Sequence, residues 1–277
     1  MQVIDFGQVD WNTSWKAVQH GRGAIGDPAK WDARADSFAK RKISPYSERF
    51  VELLAAREGE SVLDMGCGTG ELAIMLASKG HPVTAADFST GMLSQLESAL
   101  AAREPLPVTP LQMSWTDDWP AHGVEAGSVD IAIASRSIMV PDLAEALGKL
   151  SSTARRKVAI TLCAGASPGE DVVLLEAIGR GPAGRYDVPF CMNILFSQGY
   201  FPEITYIDAD KKVRYASIEE ALDDSISRIS EITPQEKQTA EEFLRSHLVT
   251  VDDGEGGQAF TFDYPRVSNW AFISWEV

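Results

Sequence analysis

The chain has 277 residues, 40 acidic and 25 basic for a formal charge of -15, and 44% are apolar. That length holds one large or two small domains with an ample core, so neither disulfides nor a structural metal is required, and 23% charged with 9% aromatic residues excludes a disordered chain. The acidity repels nucleic-acid phosphates and anionic lipid, so neither nucleic acid nor a membrane is expected as a partner.

The N-terminal MQVIDFGQVD lacks a basic stretch followed by an apolar run, and no window approaches 18 consecutive apolar residues. Neither a signal peptide nor a transmembrane helix is expected. Residues 10–30 carry Trp11 and Trp15 without a clean period. Pro28 through Ala39 reads as one helix with Trp31, Ala35 and Phe38 near one face. Its plain reading is a packing helix; its sharper one is a lid, with Trp31, Arg34 and Phe38 facing the site.

From Ser61 onward, short β-branched runs alternate with helical patterns, as βαβ units of a parallel sheet do. The strand SVLDM ends in a glycine-rich turn, Gly66 to Gly70, and a helix follows to about Ser78, stopped by Gly80 and Pro82. PVTAAD is the second strand. A helix opened by Ser89 runs until Pro105 and Pro107 forbid it. Strands follow near VTPLQM and, buried on both faces, at SVDIAIAS, then a helix over Pro141 to Leu150, the strand KVAITLC and a helix after Pro168. Beyond Gly179, CMNILFSQ, SIEEALDDSISRI and PQEKQTAEEFLRSHL read as amphipathic helices, EITYID as a strand and DDGEGG as a loop. The tail reads as a hairpin, QAFTFD then NWAFISWEV.

Cys67, Cys163 and Cys191 form no CxxC pair and have no His near them in sequence, which fits reduced thiols in a cytoplasmic protein. His20, His81, His122 and His247 read as solvent-facing. No pair of them has metal-ligand spacing, so no metal is expected, and neither a GxSxG elbow nor a P-loop occurs.

The most informative stretch is VLDMGCGTGEL, Val62 to Leu72, with Asp87 ending the next strand. In an open parallel sheet the ligand crevice lies outside the carboxyl ends of the strands, where both features fall. Glycines 66, 68 and 70 let the backbone turn sharply and approach a ligand. Asp87, 17 positions after Gly70, can accept two ribose hydroxyls. A dinucleotide would offer its pyrophosphate to the helix N-terminus, where the carboxylate of Asp64 is unwelcome, whereas a ligand with an ammonium and a sulfonium gains from it. The spacing GxGxG also departs from the dinucleotide GxGxxG.

Residues 62–72 resemble the first motif of class I S-adenosylmethionine-dependent methyltransferases, and TAADFSTGML (Thr84 to Leu93) resembles the second. The likeness covers roughly residues 45 to 165. It implies S-adenosylmethionine as cofactor and S-adenosylhomocysteine as product. The glycine loop, Asp64 with Gly66, Cys67, Gly68, Thr69 and Gly70, would hold the methionine part, and Asp87 the ribose. Phe88 and Met92 would pack on the adenine. After the third strand the family commonly has an acidic residue that bonds the adenine amino group. Here MSWTDDW places Trp115 there, with Thr116, Asp117 and Asp118 following. Asp117 is favoured, with Asp118, or Trp115 over the ring and backbone at its edge, left open; Trp115 and Trp119 equally suit a hydrophobic plug. Family members use the end of the fourth strand for both cofactor and acceptor, which singles out Ser135 and Arg136. Arg136 could clamp a carboxylate or phosphate of the acceptor, or form a surface ion pair.

The resemblance implies an α/β fold: a Rossmann-like, seven-stranded, mostly parallel sheet with an antiparallel last strand, helices on both faces, an N-terminal helical lid and a helical insertion before the last strand. Residues 1–50 would form the lid segment and 51–277 the methyltransferase domain, with its core at 60–165, the insertion at about 180–250 and the hairpin at about 258–277. The expected acceptor is a small molecule, reached by in-line displacement, with Tyr186, Tyr200 and neighbouring aromatics building its pocket. No catalytic base is assigned. A non-catalytic module that binds the same cofactor, and an NAD-dependent oxidoreductase, are the other classes considered.

Overall fold

Helix propensity and capping set the elements of the N-terminal part: α1 (Trp11–Arg22), α2 (Pro28–Asp32), α3 (Ala35–Ala39) and α4 (Pro45–Leu54). Ser44 caps α4, accepting the Ser47 N–H at 3.3 Å, and Pro45 opens it with a pre-set φ. Alternating units follow: β1 (Val62–Met65), α5 (Glu71–Ala77), β2 (Val83–Asp87), α6 (Thr90–Ala101), β3 (Val108–Gln112), β4 (Val129–Ser135), α7 (Leu143–Thr153) and β5 (Ala154–Ala164). Beyond them lie α8 (Val172–Ala177), α9 (Asp187–Ser197), β6 (Glu203–Asp210), α10 (Ile218–Ile226), α11 (Pro234–His247), β7 (Leu248–Asp252), β8 (Gln258–Phe262) and β9 (Val267–Glu276). This computed structural model describes residues 8–22, 28–39, 44–165, 170–181, 186–210, 213–252 and 257–277. Most of the DDGEGG segment lies outside them.

The chain divides into two units, one of Met1–Leu162, Asp187–Ile207 and Ala271–Val277, the other of Cys163–Tyr186 and Asp208–Trp270. A seven-stranded sheet in the order β3-β2-β1-β4-β5-β9-β6 organises the first. The pairs β1–β2, β1–β4, β2–β3 and β4–β5 are parallel, and the sheet includes an antiparallel strand, as expected. β1 and most of β4 are buried on both faces, which is why they read as continuous apolar runs. The strand order reverses between β1 and β4, so a crevice opens at their carboxyl ends. α4 closes one side, with Phe50 edge-on to Phe272 of β9 at 5.1 Å between centroids. Among the described residues no helix is long and apolar enough to cross a membrane.

The second unit gathers α8, α10, α11 and an antiparallel β7–β8 hairpin around Leu174, Leu222, Leu244 and Phe262. Asp171 caps α8 through the Leu174 N–H (3.1 Å) and is buried against Arg266 (3.2 Å) and the Tyr264 hydroxyl (2.8 Å).

Several sequence expectations need correction. The tail is not one hairpin: β8 pairs with β7, a strand hidden behind the end of a helical pattern, while β9 joins the main sheet. Its apolar run is long enough to fill an interior position, where it buries Phe272, Ile273 and Trp275. The helix expected over 28–39 breaks at Ala33 and Arg34 into α2 and α3. The aperiodic stretch before it is a helix, α1, whose buried face is formed by Trp15 and Gln19. His81 is buried, not solvent-facing, with Nδ1 3.1 Å from the Glu60 carbonyl oxygen.

Candidate active site

The site is built in the first unit, where the glycine turn leaves β1. The Gly66 N–H (2.7 Å) and Cys67 N–H (3.0 Å) both donate to the Ala86 carbonyl, folding the turn back onto β2. Gly66 has φ +76°, and a Cβ there would lie 2.3 Å from the Ser137 Cβ, so the position excludes every side chain. Gly68, at φ +56°, faces open space instead, so its glycine leaves room rather than avoiding a clash. Gly70 precedes the first residue of α5.

Two carboxylates flank this turn and differ in their partners. Asp87 accepts the Gly68 N–H at 2.8 Å and the Ser89 N–H at 2.9 Å, while burial raises its pKa against the pull of those donors. Asp64 is 2% exposed and its Oδ2 has no hydrogen-bond partner. Burial, with like-charge repulsion from Asp87 added, pushes its carboxyl up to about 7. A buried carboxylate without a partner costs several kcal/mol of solvation, on the order of what an incoming cation can restore. Burial also raises the pKa of the Cys67 thiol, with Asp64 and Asp87 adding to the effect. Thr69 and Phe88 are half-buried beside the turn, and Met92 is buried beneath α6.

The carboxyl end of β4 forms the opposite wall. Ser135 pairs with Thr161 of β5 in the ladder, and the Tyr46 hydroxyl joins both side chains, 2.8 Å from Ser135 Oγ and 2.7 Å from Thr161 Oγ1. The chain then turns sharply. Arg136 takes a left-handed φ of +59°, a strain of about 1 to 3 kcal/mol for a non-glycine residue, and donates its N–H to Thr161 Oγ1 at 3.0 Å. Its guanidinium lies over the Tyr46 ring, 4.2 Å from the centroid, with Glu71 3.9 Å away. Ser137 closes the turn by donating to the Met65 carbonyl at 2.6 Å.

Trp115 donates its indole N–H to the Ser137 carbonyl at 3.1 Å and stands 5.6 Å from Trp119, so it borders the same turn. Asp117 points elsewhere: its carboxylate accepts the Ser114 N–H at 2.8 Å and lies 3.6 Å from His122 Nε2. Thr116, Asp117, Asp118 and Trp119 line a separate cavity of about 420 Å³ with Glu145, Lys149 and Ser152.

On the β2 side, the segment read as a lid is tied to the start of α6. Asp32 accepts from Ser89 Oγ at 2.6 Å and the Gly91 N–H at 3.0 Å, and Asp36 accepts from Gln95 at 2.8 Å. Trp31 meets Phe38 edge-on at 6.0 Å with Arg34 over its ring at 5.7 Å. The helix break at Arg34 brings these groups to the strand end that carries Asp87. Tyr200 is misplaced as a site residue. It packs on Trp275 at 6.2 Å, two residues before Val277, whose N–H bonds the Arg156 carbonyl at the amino end of β5, so it lies toward the amino ends of the parallel strands, away from the glycine turn. Tyr186 is an exposed residue of the second unit.

A family profile for a methyltransferase domain matches residues 62–157, the stretch that holds both motifs and the end of β4. A curated relative, ubiquinone biosynthesis O-methyltransferase of Paracidovorax citrulli, is 32% identical over 115 residues, 42% of this chain and 38% of that protein. Residues 62–157 thus match a methyltransferase domain, in agreement with the resemblance of their motifs to class I S-adenosylmethionine-dependent methyltransferases. Two longer matches are also found. A protein of Haemophilus influenzae described as uncharacterized is 29% identical over 254 residues, 90% of both chains. A Haemonchus contortus phosphoethanolamine N-methyltransferase 2, solved with phosphomonomethylethanolamine and S-adenosylhomocysteine, shares the methyltransferase fold at a TM-score of 0.52 and 16% identity. That match covers 99% of this chain, which spans 60% of the other.

The residues fit the family's cofactor: an open Gly68, the orphaned Asp64 carboxylate and the Asp87 carboxylate converge on one turn. The sequence motifs could not reveal Asp32, Tyr46 or Thr161, which reach the crevice walls from other segments, nor the buried Gln19. Gln19, one helical turn after Trp15, is 5% exposed with neither amide atom hydrogen-bonded. Trp15 itself donates to the Val140 carbonyl at 2.8 Å, on the chain that leaves β4. Among the described residues no cluster of three or more His, Cys, Asp or Glu could hold a metal.

Proposed function

We propose that the protein transfers a methyl group from S-adenosylmethionine to a small-molecule acceptor. The observation that carries this reading is Asp64, a buried carboxylate with an unpartnered oxygen beside the glycine turn, which a cationic cofactor would neutralise. Bound S-adenosylmethionine supplies a sulfonium-activated methyl group. Gly66, Cys67, Gly68, Thr69 and Gly70 would line its methionine part, Asp64 would face its ammonium, and Asp87, whose two oxygens accept the Gly68 and Ser89 N–H groups, would accept the ribose hydroxyls on its remaining lone pairs. Phe88, Met92 and Trp115 would border the adenine, whereas Thr116 and Asp117 line the separate cavity. Since Asp117 already holds the Ser114 N–H, Trp115 over the ring is the better supported of the two arrangements. Trp31, Arg34 and Phe38, held to α6 through Asp32, would exclude water over that side, and Ser135 and Arg136 would meet the acceptor.

Incubation with methyl-deuterated S-adenosylmethionine and a small-molecule metabolite extract tests the reading by mass spectrometry. A product gaining a deuterated methyl group, absent with Asp87→Ala, is expected. Cofactor binding without any labelled product across extracts would favour the non-catalytic binding module instead.

A further inference from the structure

We propose that Arg136 receives an anionic group of the acceptor, so that the methylated small molecule carries a carboxylate or phosphate; this rests on the methyltransferase reading above. Among the described residues the guanidinium makes no hydrogen bond: it forms an ion pair with Glu71 at 3.9 Å, beyond hydrogen-bond reach, and the Tyr46 ring 4.2 Å away engages the face of the fork without using its N–H donors. The side chain is nevertheless held in place. Tyr46 is itself fixed by Ser135 and Thr161, and Thr161 accepts the Arg136 N–H. A non-glycine residue at φ +59° persists only where its surroundings over-determine it, and such positions gather at ligand clamps.

The location gives the fork its use. Arg136 ends β4 at the crevice, one residue from Ser137, which grips the Met65 carbonyl beside the glycine turn. Among the described residues Asp64, Asp87 and Glu71 lie at or beside this turn and are acidic, and the whole chain carries -15. An anionic acceptor approaching such a surface needs a fixed cation at the mouth of the site, and a planar guanidinium offers paired N–H groups that match carboxylate or phosphate oxygens. Its side chain remains 37% exposed, open to a ligand.

The test titrates inorganic phosphate and, separately, malonate into S-adenosylhomocysteine-loaded wild type, Arg136→Lys and Arg136→Gly. Glycine accepts the left-handed backbone, so Arg136→Gly relieves the strain at this position while it removes the side chain, and its Tm is measured beside wild type. Millimolar binding of one of the two anions by wild type is expected, weakened about tenfold or more in Arg136→Gly and by an intermediate factor in Arg136→Lys, which keeps the charge and loses the fork. The anion that binds distinguishes a phosphorylated from a carboxylated acceptor. Equal binding by all three proteins, or none by wild type, overturns the proposal. So does a loss in Arg136→Gly of S-adenosylhomocysteine affinity with 5′-methylthioadenosine affinity unchanged, because Arg136 would then hold the amino-acid carboxylate of the cofactor. Failure of wild type to bind S-adenosylhomocysteine, seen before any anion is added, removes the methyltransferase reading and this proposal with it.

Discussion

Replacing Asp64 by Asn should make the protein more stable at neutral pH and less able to bind its cofactor. The unfolded chain loses the Asp64 proton near 3.8 and the folded chain near 7, so between these values the folded state binds more protons. The stabilising contribution of that proton is full below pH 3.8 and is lost as pH rises through 7. By pH 7.5 a span from 3.8 to about 7 amounts to about 4 kcal/mol, at about 1.4 kcal/mol per pH unit. Asparagine removes this cost but leaves its own buried amide unpartnered, at about 1 to 3 kcal/mol. The net expectation is a gain of about 1 to 3 kcal/mol at pH 7.5, a few degrees in Tm, that disappears by pH 4 to 5. Binding moves the other way. If the ionised Asp64 faces the ligand ammonium, wild-type affinity for S-adenosylhomocysteine should fall about eightfold from pH 7.5 to pH 6, as the ionised fraction drops from about three-quarters to about one-tenth. Asp64→Asn should bind more weakly at pH 7.5 and show little pH dependence. Calorimetric melting and titration at the two pH values measure both effects. A variant less stable than wild type at pH 7.5, or one that binds as tightly with the same pH slope, would refute the reasoning.

The two turn glycines should fail in different ways. Gly66→Ala drives a methyl group into Ser137 and should unfold the protein or cost several kcal/mol of stability, whereas Gly68→Ala should lose only about 1 to 2 kcal/mol from backbone strain while losing most cofactor affinity. Equal stability losses in denaturant melts would contradict this contrast. Trp31→Ala should weaken S-adenosylhomocysteine binding several-fold at unchanged Tm; an unchanged dissociation constant would remove the lid. Gln19→Leu deletes one amide whose oxygen and nitrogen are both orphaned and should raise stability by about 1 to 3 kcal/mol without affecting S-adenosylhomocysteine binding, and a lower Tm would show that the amide is satisfied in solution.

The parts of the fold that alternate regularly were legible because their periodicity is local. Val62 to Met65 and Val129 to Ser135 are buried on both faces and flanked by glycine or capped helices, so their place in the sheet follows from a few residues. The same locality made Asp64, Gly66, Gly68 and Asp87 visible. What escaped depends on long-range partners. α1 gains its inner face from Val140 and from Phe190, which meets Trp11 and Trp15 edge-on at 6.4 and 6.1 Å, contacts more than a hundred residues away in sequence. Tyr46 matters only because Ser135 and Thr161 end neighbouring strands. Tyr200 reads as a pocket aromatic after a helix, whereas its ring packs on Trp275 toward the amino ends of the parallel strands. The tail looked like a hairpin because two strands adjacent in sequence usually pair, and here a seven-stranded sheet offered β9 a more deeply buried position.

The most direct measurement is a calorimetric titration of wild type and Asp87→Ala with S-adenosylhomocysteine, with NAD run on the same preparations. A cofactor site formed by the glycine turn and Asp87 predicts micromolar binding by wild type, its loss in the variant and no heat with NAD. A folded wild type that ignores S-adenosylhomocysteine, or binds NAD instead, would contradict it.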